Sequence, residues 1–335
     1  MSETISQSAL RQLAATWIGQ GKIVVGPVQV KPGLVLYKPI HDPAQLALDG
    51  FVRPGNSIKE FLLPRHEELY GYRFQGREVE LTEGVLPETQ QVIIARPCDA
   101  AALPILDHVF NWDSRDSQYN HRRALTTIVT LACESGDEHC FCTSVGSGPA
   151  DRRGADAMLM PLADGYEVVT LTDKGSMLFC GRTEPSTHHA ATSSGPEPRF
   201  DVEAIEQQLA AGFESPRWQT MSLRCLGCGA CAYTCPTCHC FDIVDEGNAR
   251  GGVRARNWDA CQFGMFTLHA SGHNPRGNQG QRQRQRIYHK FKMYRDKFGE
   301  TLCTGCGNCT RNCPVGLGVA PMLEALQDEA STTVQ

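Results

Sequence analysis

The sequence predicts an α+β protein. A mixed α/β domain occupies residues 1–180, a linker residues 181–200, and a mainly helical domain with an insertion residues 201–335. Three observations carry this prediction. Short apolar runs punctuated by Gly, Pro and Asp fill the first half, helically spaced apolar residues dominate the second, and one cysteine pattern occurs twice in the second half.

Taken in order, KIVVGPV, LVLYKPI, QVIIARP, LTTIVTLA, AMLMPLA and YEVVTLT read as strands, because each is a short β-branched or alternating run bounded by turn residues. Residues 99–110 carry Leu103, Leu106 and Phe110 at helical spacing, with Asp99 placed to cap them, so RPCD reads as strand, sharp turn, helix. Residues 180–200 are rich in Ser, Thr, Pro and Gly without apolar periodicity, which reads as a loop or linker. Beyond it Asp201 opens a helix over DVEAIEQQLAAGF. A long basic helix over RQRQRIYHKFKMYRDKFG ends at Gly299, and VAPMLEALQDEA forms a last helix.

The repeated pattern is C-x2-C-x2-C-x3-C-P. It occurs as CLGCGACAYTCP, with Cys225, Cys228, Cys231 and Cys235, and as CTGCGNCTRNCP, with Cys303, Cys306, Cys309 and Cys313. Three closely spaced thiolates grip three corners of an iron-sulfur cube, and the fourth, carried past by the proline, reaches the neighbouring cube. The spacing therefore assigns Cys225, Cys228, Cys231 and Cys313 to one [4Fe-4S] cluster and Cys303, Cys306, Cys309 and Cys235 to a second. Zinc knuckles would need only paired C-x2-C. Compact bacterial ferredoxins place their repeats close together, whereas 67 residues separate Cys235 from Cys303, which is why a helical-ferredoxin-like dicluster domain with an insertion is expected over residues 201–335.

Composition narrows the class further. The 335 residues suffice for two cores, and 41% hydrophobic with 21% charged residues is ordinary for a globular protein. No apolar run is long enough to span a membrane. The first residues lack a secretory or twin-arginine signal, and sixteen cysteines without one imply a reducing compartment, hence a cytoplasmic protein. No G-x-G-x-x-G follows a strand, and there is no P-loop, so no nucleotide site is read in this chain.

A second cysteine group lies upstream: Cys98 at the strand-to-helix turn, Cys133 at the end of a strand, and Cys140 and Cys142 in HCFC. Four thiols are the right number for a third cubane, and spacing alone leaves a zinc site or unliganded thiols open as well. Cys238, Cys240 and Cys261 follow the first motif without a clear fourth ligand and read as structural or supporting thiols; Cys180 reads as free. From residue 247 to 298 eleven Lys and Arg face two Asp. This asymmetry suits neighbours of anionic clusters better than nucleic acid.

Several separate segments, RPCDAAALPILDHVF, YNHRRALTTIVTLACESGDEHCFCTSVGSGP, RCLGCGACAYTCPTCHCFDIVDE, WDACQFGMFTLHASGHNPR and CTGCGNCTRNCPVGLGV, resemble the family of 4Fe-4S dicluster proteins that contains the sulfhydrogenase (cytoplasmic NiFe hydrogenase) beta subunits and the matching iron-sulfur subunits of anaerobic sulfite reductase. The resemblance covers roughly residues 60 to 320. It implies an iron-sulfur subunit that passes electrons between a flavin subunit handling NAD(P)H and a NiFe hydrogenase or sulfite reductase catalytic subunit. It also favours Cys98, Cys133, Cys140 and Cys142 as ligands of a third [4Fe-4S] cluster. The alternative is a sulfur or polysulfide reductase acting at its own cluster or at the spare cysteines.

Overall fold

The computed structural model describes residues 2–333. Among these, twelve strands run in chain order: β1 (Ser2–Ser6), β2 (Ile23–Lys31), β3 (Leu34–Ile40), β4 (His66–Gln75), β5 (Glu78–Glu83), β6 (Gln91–Ala95), β7 (Thr126–Leu131), β8 (Ala157–Leu162), β9 (Gly165–Thr170), β10 (Glu184–Ser186), β11 (Phe241–Asn248) and β12 (Gly251–Trp258). The six apolar runs read from the sequence are β2, β3, β6, β7, β8 and β9.

Eight strands form one mixed sheet in the order β10-β1-β9-β8-β7-β6-β2-β3. Its centre, β2-β6-β7-β8, is parallel, and its flanks are antiparallel. Both faces of the centre are covered, and this is why those strands read as nearly continuous apolar runs. The two-residue period sends Val24, Val92, Ile94 and Val129 to one face, under Leu10, Leu13 and Trp17 of helix α1 (Gln7–Gly19). Val25, Ile93, Ala95 and Ile128 face the other side. There they meet Leu103, Leu106 and Phe110, from the segment formed by α2 (Pro97–Ala100) and α3 (Ala102–Asn111), and Tyr119 of α4 (Ser117–Leu125). Helix α5 (Asp173–Phe179) follows β9, and β10 lies within the Ser- and Pro-rich stretch, pairing with β1 at the sheet edge.

The remaining helices are α6 (Val202–Ala211), α7 (Arg217–Met221), α8 (Ala230–Tyr233), α9 (Gln279–Tyr288), α10 (Tyr294–Phe298), α11 (Asn308–Arg311) and α12 (Val319–Thr333). Asp201 caps α6 as expected, accepting from the backbone of Glu203 and Ala204. The basic helix is interrupted: α9 passes through a π turn (His289–Met293) into α10, which stops at Gly299 with φ at +79°. Ile205, Leu209, Ile287, Phe291, Leu323 and Leu326 build a core that also takes in Cys231, Cys303 and Cys309.

A four-stranded antiparallel sheet, β11-β12-β4-β5, was not expected. One hairpin comes from the first half of the chain and the other from the insertion between the cysteine motifs. Arg256 of β12 is buried against Glu67 of β4 and Asp116, and Arg122 of α4 also pairs with Glu67. Asp99 differs from its expected role. The helix begins after Arg96 without a side-chain cap, and Asp99, fully buried, instead takes Arg53 at 2.7 Å and the Tyr37 hydroxyl at 2.9 Å. No helix among the described residues is long and apolar enough to cross a membrane.

Candidate iron-sulfur site

The two cysteine motifs have the same backbone. Gly227 and Gly229 have φ of +66° and +73°, and Gly305 and Gly307 have +67° and +75°, so each C-x-G-C-G-x-C loop uses two left-handed glycines before one short helical turn, α8 or α11. Such turns aim successive backbone amides and thiols to one side of the loop.

All sixteen cysteines are free thiols. Cys235, Cys303, Cys306 and Cys309 are buried, and Cys303 lies within electrostatic reach of the other three. Cys225 and Cys313 pack against the same core as Cys231, while Cys228 is exposed. The surroundings are those of an anion. Both Gln279 and Gln283 donate side-chain amides to the Cys225 Sγ, at 3.1 and 3.0 Å. Backbone N–H groups of Leu317 and Val319 donate to Cys313 and Cys309 at 3.2 and 3.3 Å. Lys290 Nζ sits 3.5 Å from Cys235 Sγ and donates to Thr237 Oγ1 and the Leu302 carbonyl. Burial would discharge this amine, but Cys235, Cys238 and Cys303 hold it protonated, above the usual lysine range. The Arg286 guanidinium is 2% exposed, and none of its three nitrogens has a hydrogen-bond partner. A buried cation without a partner is costly unless negative charge lies beside it, and its neighbours are Cys231, Cys309, Cys238 and Cys261.

Burial pushes some of the thiols up, Cys231 and Cys306 to about 12 and Cys142 to about 11, so that these three are protonated as bare thiols at neutral pH and a bound metal centre would supply the positive charge that makes them thiolates. Cys235 goes the other way, drawn down by its hydrogen bond with Cys238 and by the Lys290 ammonium. Donor set, N–H to sulfur bonds and the orphaned guanidinium all fit [4Fe-4S] clusters.

The upstream cysteines meet at a cleft beyond the carboxyl ends of the adjacent parallel strands β6 and β7. Cys98, Cys133, Cys140 and Cys142 all line it, together with Arg53, Arg96 and Cys306 of the second motif. Arg53 Nη1 donates to Cys98 Sγ at 3.2 Å, and Arg311 approaches Cys140 Sγ at 3.9 Å while paired to Asp137. The cysteine loop lies directly on the second motif. Phe141 N donates to the Gly305 carbonyl at 2.8 Å, and a Cβ on Gly305 would come within 2.4 Å of the Cys142 Cα. Glycine at 305 therefore serves both the motif's own turn and the close approach of the upstream loop.

Sequence reasoning missed Gln279, Gln283, Arg53 and Arg311. The i, i+4 spacing of the two glutamines within the basic helix was a usable signal; the two arginines act across 45 and 171 residues and had none. Of the basic helix, Arg286 and Lys290 turn inward to the thiols.

Fold and site together define an iron-sulfur protein with a two-cluster domain at its C-terminal end: residues 224–317 match the 4Fe-4S dicluster domain family. The chain is 28% identical over 319 residues to sulfhydrogenase 2 subunit beta of Pyrococcus furiosus, across 91% of this chain and 92% of that protein. No solved structure matches it.

Proposed function

We propose that this chain is the electron-transfer subunit of a multi-subunit oxidoreductase, relaying electrons between a flavin subunit that handles NAD(P)H and a NiFe hydrogenase or sulfite reductase catalytic subunit, in the cytoplasm. Likeness to a sulfhydrogenase beta subunit over nearly the whole length supports a place in such a complex. The observation that carries the relay itself is the shared cleft, where Cys98, Cys133, Cys140 and Cys142 stand beside Cys306.

Residues Cys225, Cys228, Cys231 and Cys313 would hold one [4Fe-4S] cluster, Cys303, Cys306, Cys309 and Cys235 a second, and Cys98, Cys133, Cys140 and Cys142 a third. Bound clusters supply one-electron transfer. The chain's own residues do the rest. Arg53, Arg96 and Arg311 offset negative charge at the upstream cleft, Lys290 and Arg286 do so between the motifs, and the two glutamines donate to Cys225. Cys228 is exposed beside the exposed Leu223 and Leu226, which offers a redox partner an approach at the first motif.

The test is an anaerobic iron assay with the Cys98→Ser variant. About four iron atoms fewer than in the parent are expected, with the dicluster signals retained; unchanged iron would remove the upstream centre. Polysulfide turnover by the isolated chain with an artificial donor would contradict the relay reading.

A further inference from the structure

Four thiols remain outside these sets; Cys180 is exposed, and the insertion hairpin brings the other three, Cys238, Cys240 and Cys261, to one pocket. Its closing pair, Phe241 opposite Trp258, and the 3.0 Å bond from Asp259 N to the Cys240 carbonyl set Cys240 where the hairpin begins and Cys261 just beyond where it ends. The two thiols bear directly on each other. Cys238 is fixed by its carbonyl, which accepts from the buried Lys59 Nζ at 2.9 Å. All three line a pocket of about 440 Å³ together with His239, His289, Arg276 and the unpartnered Arg286. His289 comes from the π turn, an irregularity that frequently marks functional positions. His239 Nδ1 lies 3.0 Å from the Thr237 carbonyl, which can only accept; in the neutral ring Nδ1 carries the proton and Nε2 keeps its lone pair, the arrangement of a ligating histidine.

We propose that this pocket holds an additional [4Fe-4S] centre, ligated by Cys238, Cys240 and Cys261 with His239 at the fourth corner. Thiolate-rich donor sets select zinc or iron-sulfur clusters. The cations match the charge of a thiolate-bound cluster, whereas thiols serving only as packing would need neither cations nor open space. Cys238 bears on Cys235 and Cys261 on Cys231, so the centre stands beside both motif clusters, a branch in the relay instead of an isolated metal.

Iron assay and native mass spectrometry of the anaerobically isolated full chain test this. The Cys240→Ser/Cys261→Ser double variant is expected to lose about four iron and four sulfide atoms; retention of the parental count overturns the proposal. Should that variant fail to fold, Cys98→Ser gives a second reading, since it removes the upstream centre alone. A Cys98→Ser chain that still carries more than two cubanes supports the pocket centre, and one that carries two overturns it. The two variants also separate this site from the upstream one, because each subtracts its own centre.

Discussion

At the scale of single residues, the site is governed by where positive charge and N–H groups sit relative to sulfur. Gln279 and Gln283 each donate to Cys225, and hydrogen bonds to cluster sulfurs favour the reduced, more negative state. Replacing Gln283 by Leu should therefore lower the potential of the first-motif centre by about 40 mV, the one-electron equivalent of about 1 kcal/mol of hydrogen bonding. A redox titration monitored by EPR checks this, and an unchanged potential would show that the contact does not bear on the cluster. Asp99 shows why some roles stayed out of reach of the sequence. Its position before a helical run reads as a cap, yet Arg53, 46 residues away, claims its carboxylate at 2.7 Å and turns it into the anchor of the cation beside Cys98. The two C-x2-C-x2-C-x3-C-P motifs could be read because their spacing is local. The grouping of the upstream four around Cys306 depends on which strands become neighbours, and only the folded chain shows that.

At the scale of elements, the six strands of the main sheet could be read because both of their faces are buried and their apolar runs are continuous. The hairpins β4-β5 and β11-β12 could not. Most of their residues are exposed or half-buried and β5 is exposed throughout, so the alternation that is present, Val79 and Leu81 alternating with Glu78 and Glu80 and Tyr70, Tyr72 and Phe74 along β4, marks no buried face that would fix their pairing. Their sheet is pinned by a buried charge network in which Arg256 pairs with Glu67 and Asp116. Arg256→Ala leaves the Glu67 carboxylate with Arg122 alone, and loss of one partner in a buried pair costs about 3–5 kcal/mol. Chemical denaturation of the variant should show a loss of that order, and a change below about 1 kcal/mol would mean that the network carries no weight. The crossed assignment belongs to this scale too. Cys313→Ser should disturb the centre of the first motif although its nearest partner there, Cys231, is 82 residues away in sequence. If EPR shows that centre intact and the one at Cys303 lost, the crossing is wrong.

At the scale of the whole molecule, the halves interlock. Lys59, from the first half, donates to the carbonyls of Ala232 and Cys238, both at 2.9 Å. Asn308 and Asn312 of the second motif donate to the backbone of residues 54–56. The upstream cysteine loop rests on Gly305. These contacts hold the upstream cleft against the second motif, as a relay requires. Purification from the native host under anaerobic conditions should bring down flavin together with either nickel or siroheme, and recovery of the chain without any of them would count against membership in such a complex.

The central claim is that this chain holds neighbouring cubane clusters that exchange electrons, and low-temperature EPR of the anaerobically isolated full chain during stepwise reduction with dithionite tests it most directly. The predicted result is a set of signals that broaden and split as adjacent clusters become reduced together. Sharp, independent signals throughout the titration, or a chain without iron-sulfur signals, would contradict it.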